Sequence, residues 1–296
     1  MSDAHPLTED VAVARTFLFV PGDRPDRFGK AAACGADVVI LDLEDAVAPD
    51  RKEEARGHVA AWLDAGNQAV VRVNGAGTAW YGDDLAALAG RTGVVMVPKA
   101  EDPAELARLV RTLPVGTGIL PLIETAAGIV GAVGVCAAPS VVRAAFGSVD
   151  LAAQLGVEHT SHDALRHARS ALVLAAAAAG RPAPVDGVTT DVRDETVLRA
   201  DLGHAVALGY GGKLCVHPRQ VPLANEGFSP TREQVSWARD VVAAAGDGSV
   251  TVVDGQMVDR PVLLRARAVL ARAVPAGAGS PPARGSGPAG TRLDRS

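Results

Sequence analysis

The feature that most constrains the fold is a repeated alternation between short apolar runs and segments with helical character. Several runs are continuous in Val, Ile and Leu, which is typical of parallel strands covered on both faces. Acidic residues or Pro near the starts of the intervening segments, and Gly near their ends, indicate helices. The eight runs lie at 16–22, 37–45, 69–74, 94–100, 118–125, 142–150, 185–190 and 212–218, and the predicted helices at 25–35, 50–65, 103–113, 126–138, 163–180, 194–209 and 230–245.

Eight strands that alternate with helices over about 245 residues predict a (β/α)8 TIM barrel. A doubly wound open sheet is the competing architecture, but it usually has fewer strands, and no glycine-rich nucleotide motif follows the first run. Beyond the barrel, a strand-like segment (251–259) and a helix (261–273) predict a helical C-terminal extension. We therefore divide the chain into an N-terminal segment (1–14), the barrel (15–246), the extension (247–274) and a disordered Gly/Pro/Ser/Ala-rich tail (275–296).

Composition favours a small ligand over a macromolecular one. The 296 residues are 48% hydrophobic and carry a net charge of −5, which argues against nucleic-acid and membrane-surface partners. No apolar run reaches the ~20 residues of a spanning helix, and the N-terminus lacks the apolar core of a signal peptide. Cys34, Cys136 and Cys215 are widely spaced and odd in number, so we expect reduced thiols and a cytoplasmic location.

Polar residues end most of the apolar runs. Because active sites of such barrels lie at the carboxyl ends of the strands, these residues are candidates for the site. Together they form a ring of acids with bases between them, as expected of a site that binds a cation and an anionic substrate. They are Asp42, Glu44, Asp45, Arg72, Asn74, Lys99, Glu124, Asp150 and His217.

Glu124 and Asp150 are the candidate metal ligands. Their spacing of 26 residues, about one strand-helix-strand unit, predicts that they lie side by side on neighbouring strand ends. Two carboxylates there repel unless a cation lies between them, and a site with few oxygen ligands suits Mg²⁺ better than zinc or calcium. The alternative that each carboxylate caps a helix or pairs with an arginine is equally open.

Arg72 also has two possible roles. It can pair structurally with the acids Asp42, Glu44 and Asp45, or its guanidinium can bind a substrate carboxylate, and the roles are compatible. His217 is expected to be structural. His159 and His162 have HxxH spacing without a third ligand, so we assign them to a surface loop or lid and not to zinc.

Seven motifs occur together in a fixed order, and they resemble the citrate lyase beta-subunit-like branch of the HpcH/HpaI aldolase family. The resemblance extends from about Arg15 to Ala273. The motifs are RTFLFVPGDRPDRF (15–28), DVVILDLEDAV (37–47), VVRVN (70–74), VPKAE (97–101), LPLIET (120–125), FGSVDLAAQLG (146–156) and KLCVHPRQV (213–221).

The resemblance implies a Mg²⁺-dependent carbon-carbon lyase on a (β/α)8 barrel. Glu124 and Asp150 would bind the metal, Arg72 would act in catalysis, and Arg72 and Glu124 would contact the substrate. Lys99 would line the same opening at the carboxyl end of the barrel, near the thioester or as a salt-bridge partner. Three acids would hold the metal-bound waters and Arg72 in position without contacting the metal, and they are Asp42, Glu44 and Asp45.

A further motif, GQMVD, ends at Asp259 and is similar to the GxMID motif of stand-alone acyl-CoA lyases. The resemblance implies that Asp259 is the catalytic acid/base and reaches the site of a neighbouring subunit through the 247–274 extension. The protein would then be a homo-oligomer, a trimer or hexamer. Asp259 can also cap the helix that begins at Arg260-Pro261.

The expected reaction cleaves malyl-CoA or citramalyl-CoA to acetyl-CoA and a 2-oxo acid, with coenzyme A as part of the substrate. Arg24, Arg27 and Lys30, with Lys99, are candidate coenzyme A contacts, although the first three also fit a solvated basic helix face. Two rivals are a citrate lyase beta-type subunit and a non-catalytic protein that binds metal and a 2-oxo acid. Thioester hydrolysis is a further activity that the motifs allow.

Overall fold

The eight predicted strands form a closed parallel barrel in the order β1 to β8, which confirms the (β/α)8 fold. A computed structural model describes residues 5–91, 93–245, 251–253 and 256–273. The observed strands are shorter than the apolar runs, because each run also includes the loop that follows its strand. The strands are β1 (Thr16–Pro21), β2 (Val38–Asp42), β3 (Val70–Arg72), β4 (Val94–Val97), β5 (Gly118–Ile123), β6 (Ala145–Phe146), β7 (Val185–Asp186) and β8 (Gly212–Cys215).

Helices follow the strands around the outside of the barrel. They are α1 (Pro6–Val13), α2 (Pro25–Ala32), α3 (Lys52–Asp64), α4 (Tyr81–Leu88), α5 (Pro103–Val110), α6 (Ala126–Val130), α7 (Ala132–Ala137), α8 (Ser148–Leu155), α9 (His162–Ala178), α10 (Glu195–Leu208), α11 (Val221–Gly227), α12 (Arg232–Ala245) and α13 (Arg260–Arg272). Short 3₁₀ turns cover Pro49–Arg51 and Pro218–Gln220.

Helix boundaries follow the residue types that mark them. The Asp102 and Asp194 side chains accept hydrogen bonds from the backbone N–H groups of Ala104 and Thr196, and so cap α5 and α10. Gly209 ends α10 in a left-handed conformation, with φ of 98°, that other residues adopt at a cost.

Four helices were not predicted, namely α1, α4, α8 and α11, and one predicted helix is divided. The helix α4 follows a Gly- and Trp-containing loop, and its short length gives little apolar periodicity. The helix α8 begins at Ser148, inside a run that the sequence assigned to a strand, because the apolar residues on either side of Gly147 hide the turn. The segment predicted as one helix over 126–138 breaks at Gly131 into α6 and α7.

Apolar side chains fill the barrel and also the layer between strands and helices. Phe17, Ile40, Met96 and Leu120 belong to the inner cluster, and α1 packs beneath it through Leu7 and other residues. The helix α1 therefore closes the amino end of the barrel. The carboxyl end carries the polar residues.

The helices α12 and α13 pack on each other and share a separate apolar cluster that includes Val241, Val258 and Leu263. An antiparallel hairpin of β9 (Thr251–Val253) and β10 (Gln256–Val258) lies between them in the chain. The predicted tail, 275–296, and residues 1–4 and 247–250 lie outside the described residues. Within the described ranges, no helix has the length and apolar character needed to cross a membrane.

Candidate active site

The base of the site is an ion pair between the last residues of two neighbouring strands. Asp42 of β2 and Arg72 of β3 are partners in the parallel register. Arg72 donates from Nε to Asp42 Oδ1 at 2.7 Å and from Nη2 to Oδ2 at 2.6 Å. This bidentate geometry fixes the guanidinium before any ligand arrives.

Arg72 contacts a second carboxylate and an aromatic ring. Its Nη1 lies 3.0 Å from Glu44 Oε2 and 3.8 Å from Asp45 Oδ2, and its guanidinium carbon lies 4.8 Å from the centre of the Phe19 ring. Burial alone would lower the pKa of Arg72, but the Asp42 and Glu44 carboxylates outweigh burial and raise it. Arg72 therefore stays charged.

Lys99 places its ammonium among three carboxylates. Its Nζ lies 3.1 Å from Glu44 Oε1, 3.8 Å from Asp150 Oδ1 and 4.0 Å from Glu124 Oε1. The backbone of Lys99 is left-handed, with φ of 50°, and its N–H donates to Glu124 Oε1 at 2.9 Å. Burial would lower the pKa of Lys99, but Glu44 and the other carboxylates reverse the effect and raise it.

Glu124 follows β5 directly and is the most buried acid facing the cavity, with 2% of its surface exposed. Burial and the neighbouring Asp150 and Glu44 raise the pKa of Glu124 to about 8, despite the opposing contact with Lys99. Its carboxylate is not a helix cap, since Thr125 caps α6. A buried acid so placed is stabilised in its ionised form by an additional cation.

Asp150 occupies a different element from the one predicted. It is the third residue of α8, beyond the end of β6, so the expectation that it ends a strand is wrong. The chain turns at Gly147, where a Cβ atom would lie 2.3 Å from Glu124 Cβ, and this close approach brings the first turn of α8 to Glu124. The predicted pair is brought together, because Glu124 and Asp150 both lie within 4.0 Å of Lys99 Nζ.

A cavity of about 70 Å³ lies over this cluster. One wall is charged and the other is apolar, and Ser148 Oγ is buried there without a hydrogen-bond partner among the described residues. The lining consists of Phe19, Arg72, Leu122, Glu124, Phe146, Gly147, Ser148, Val149, Asp150, Val188 and Leu214.

The donor set fits a hard divalent cation. Across the described part of the chain, no three His, Cys, Asp or Glu side chains are grouped to hold a metal. Among the described residues, Glu124 and Asp150 would therefore be the only side chains that bind the ion. Mg²⁺ is commonly held by one or two carboxylates and keeps its other positions for water and substrate. The pKa of Glu124 is raised mainly by burial and further by the charges of Asp150 and Glu44, so a cation bound there would favour the ionised carboxylate.

The sequence did not reveal two buried residues, one that holds the turn after β2 and one that holds Asn74 after β3. Lys52 Nζ donates to the carbonyl oxygens of Leu43 at 2.8 Å and of Glu44 at 2.9 Å. Asp84 Oδ2 accepts from the backbone N–H and from Nδ2 of Asn74 at 2.8 and 2.6 Å. Both lie on helices, where a charged residue usually faces solvent, so only their spatial position reveals the role.

The other predicted site residues lie apart from the carboxylate cluster in this chain. Arg24 precedes α2 and pairs with Asp26 at 3.0 Å, and Arg27 and Lys30 are exposed on the same helix. Asp259 caps α13, because its Oδ1 accepts from the backbone N–H of Val262 at 3.2 Å. Asp259 is not among the residues that line the cavity.

The three histidines that the sequence singled out, of seven in the chain, have structural contacts. His217 Nδ1 accepts from the backbone N–H of Arg219 at 3.1 Å and caps a 3₁₀ turn. His159 contacts the Thr190 hydroxyl at 3.0 Å, and His162 contacts Asp201 at 2.7 Å.

Comparison with known families identifies the family of this chain. The model of the HpcH/HpaI aldolase/citrate lyase family matches residues 15–218, which include every strand of the barrel. The chain belongs to this family. It is accordingly an enzyme, a carbon-carbon lyase of the citrate lyase beta-like group.

Relatives within the family align over most of their length. A citrate lyase subunit beta-like protein of Mycobacterium tuberculosis is 41% identical over 87% of this chain and 94% of the relative. A (3S)-malyl-CoA thioesterase of Cereibacter sphaeroides is 34% identical over 91% and 95%. The crystal structure of M. tuberculosis CitE with magnesium, acetoacetate and coenzyme A superimposes with a TM-score of 0.77 at 40% identity, covering 88% of this chain and 98% of that one.

Proposed function

We propose that the protein is a Mg²⁺-dependent lyase that cleaves a short 3-hydroxy dicarboxylic acyl-CoA, of the malyl-CoA or citramalyl-CoA type, to acetyl-CoA and a 2-oxo acid. The observation that carries the proposal is the buried Glu124 carboxylate beside Asp150, in a cavity that Arg72 also lines. The magnesium and coenzyme A bound by the M. tuberculosis relative support it.

Glu124 and Asp150 would hold Mg²⁺ at the carboxyl end of the barrel. When bound, Mg²⁺ supplies a Lewis acid that polarises the oxygen of the carbonyl formed on the 2-oxo acid. The Lys99 ammonium lies between the same carboxylates, so it has to move or share them when the metal binds.

Arg72 is assigned to the substrate. Its guanidinium is held by Asp42 and lines the cavity, so it can bind a carboxylate or an enolate oxygen without reorganising. Because its pKa is raised, Arg72 orients substrate and stabilises negative charge, and it does not transfer protons.

Cleavage breaks the bond between the second and third carbons of the acyl chain. The 3-hydroxyl group loses its proton, a carbonyl forms at that carbon, and the bonding pair moves to the thioester fragment as an enolate, which is then protonated to give acetyl-CoA. We assign the proton transfers to Asp259 from a neighbouring subunit of a trimer or hexamer. Within one chain, Asp259 caps α13 and is not among the residues that line the cavity.

Coenzyme A needs anion contacts away from the reacting carbons. Arg27 and Lys30 on α2 follow β1, so they stand at the same end of the barrel as the carboxylates, and both are exposed. We assign them, with Arg24, to the phosphates of coenzyme A. We assign Lys99 to the thioester group of the substrate, because its ammonium lies in the carboxylate cluster.

The test is an assay of the purified chain alone on malyl-CoA, citramalyl-CoA and citryl-CoA, with the acyl product and free coenzyme A measured separately. The proposal expects acetyl-CoA and glyoxylate or pyruvate in equal amounts, loss of turnover with EDTA, and recovery when Mg²⁺ is restored. Free coenzyme A without acetyl-CoA would instead make the chain a thioesterase, like the C. sphaeroides relative.

Two other results would overturn the proposal. Turnover that requires copurified subunits and a carrier-protein thioester would make the chain a citrate lyase beta-type subunit. Binding of Mg²⁺ and pyruvate with no cleavage of any thioester would make it a non-catalytic binding protein. We place the enzyme in the cytoplasm, which the free thiols of Cys34, Cys136 and Cys215 support.

A further inference from the structure

A second cavity lies at the opposite end of the barrel from the carboxylate cluster. It has a volume of about 220 Å³ and lies beneath the amino ends of β1, β6, β7 and β8. Three arginines line it, Arg15, Arg143 and Arg272, and the other lining is apolar and includes Val13, Ala183 and Phe228. No acidic side chain is part of the lining that the structure describes.

Arg143 is the unusual member of this lining, because it is a buried cation without a counter-charge. Only 2% of its surface is exposed. Its Nε donates to the carbonyl oxygen of Ala183 at 2.6 Å, and Nη1 donates to those of Ala14 and Val11 at 2.6 and 3.3 Å. In the ranges that the structure covers, no carboxylate forms an ion pair with Arg143, and Nη2 has no hydrogen-bond partner.

The neighbouring charges do not compensate Arg143. Arg15 is neutralised by Asp37, which lies 3.2 Å from its Nη2. Burial lowers the pKa of Arg143 to about 9, and the field of Asp37 opposes this only in part. A buried guanidinium normally has an anionic partner, because the desolvation of an unpaired charge is costly.

The surroundings of Nη2 leave room for such a partner. The adjacent residue is Gly211, where a Cβ atom would lie only 2.8 Å from Nη2, so the absence of a side chain keeps this nitrogen uncovered. Arg272 is exposed to solvent, so Arg143 is the one buried guanidinium of the lining without a counter-charge, and it can balance one negative charge. The apolar walls then favour a ligand with a hydrocarbon body over an inorganic ion.

We propose that this cavity binds a small organic monoanion, a carboxylate with a short hydrocarbon chain, whose carboxylate pairs with Arg143 and whose chain packs against Val13, Ala183 and Phe228. The site is separate from the carboxylate cluster, and its ligand enters at the amino end of the barrel. The inference does not depend on the proposed reaction.

Titration calorimetry of the full-length protein with hexanoate tests the proposal, with 1-hexanol as the uncharged ligand of equal chain length. We expect saturable binding of one hexanoate per chain and at least about tenfold weaker binding of 1-hexanol, because a charge-assisted hydrogen bond to Arg143 is lost. Sulfate should bind more weakly than hexanoate. Equal affinity for hexanoate and hexanol, tighter binding of sulfate, or no saturable binding would overturn the proposal.

Single substitutions test whether hexanoate binds in this cavity. Val13 lines it and is 63% exposed, so Val13→Trp blocks the cavity without disturbing the core, and Val115→Trp makes the same change at an exposed position elsewhere. We expect loss of hexanoate binding with Val13→Trp and unchanged affinity with Val115→Trp. Arg143→Met should also lose binding where it folds. Unchanged affinity in Val13→Trp would refute the assignment, whatever the fate of Arg143→Met.

Discussion

At the scale of single residues, the protonation of Glu124 couples metal binding to pH. Its pKa of about 8 means that near neutral pH most Glu124 side chains in the metal-free protein carry a proton, which Mg²⁺ must displace. We therefore expect the Mg²⁺ affinity to rise by about tenfold per pH unit below pH 8 and to level off above it. Calorimetry in buffers of different ionisation enthalpy should detect about one proton released per ion. A Mg²⁺ affinity that is flat between pH 6 and 8 would contradict this.

Removing either carboxylate of the pair should abolish metal binding. Glu124→Gln and Asp150→Asn each delete one of the two proposed protein ligands, so we expect the Mg²⁺ affinity to fall by at least about a hundredfold and turnover to be lost. Glu101→Gln is the matched control, because Glu101 is exposed and makes no described contact with the cluster. Calorimetric titration with Mg²⁺ decides the point. An unchanged affinity in Glu124→Gln would place the metal elsewhere.

Lys99 should oppose metal binding. Its ammonium lies within 4.0 Å of both proposed ligands, so Lys99→Met removes a competing positive charge. At pH 9, where Glu124 is ionised, we expect Lys99→Met to bind Mg²⁺ about tenfold more tightly, whereas Lys99→Arg keeps the charge and the original affinity. Weaker Mg²⁺ binding in Lys99→Met would show that the ammonium supports the site instead of competing with the ion.

At the scale of elements, the turn between β6 and α8 sets the distance between the two carboxylates. A Cβ at Gly147 would lie 2.3 Å from Glu124 Cβ and 2.6 Å from Glu124 Oε2. Gly147→Ala should therefore displace α8, lower the free energy of unfolding by about 1–3 kcal/mol and weaken Mg²⁺ binding. Gly29→Ala in α2 is the control, because nothing lies within 4 Å of its added Cβ. Denaturant unfolding and Mg²⁺ titration of both variants measure the effects.

The sequence predicted elements well where a strand is a continuous apolar run, as in β1, β2 and β5. It failed at α8, because Phe146 and Val149 are apolar on both sides of Gly147 and hide the turn. The sequence predicted the placement of Glu124 at a strand end, because an acidic residue directly after an apolar run lies where the strand formed by that run ends. The support of Leu43 and Glu44 by Lys52 was not, because it depends on the packing of a helix against a loop.

At the scale of the whole molecule, we proposed that the C-terminal extension completes the site of a neighbouring chain. Asp259→Asn should lose turnover and still bind Mg²⁺, because Asp259 does not line the cavity that holds Glu124 and Asp150. Coexpression of Asp259→Asn with Glu124→Gln should then restore about a quarter of wild-type turnover, since random mixing in a symmetric oligomer pairs an intact Glu124 with a neighbour's intact Asp259 in about that share of sites.

The same mixture distinguishes the two roles of Asp259. If this carboxylate serves only to cap α13, Asp259→Asn should keep most of its turnover, because Asn is also a good helix cap. If it acts within its own chain, the mixed oligomers should be as inactive as the parents. Either result would remove the proposed contact between subunits.

Because α1 closes the amino end of the barrel, we expect the reactants to pass through the opening at the carboxyl end. Glu124 is buried there, whereas the side chain of Asp150 is 39% exposed. A group bound at Glu124 leaves only after whatever entered behind it. For the proposed cleavage we therefore expect the ion to bind before the acyl-CoA, and acetyl-CoA to leave before the 2-oxo acid that stays against the ion.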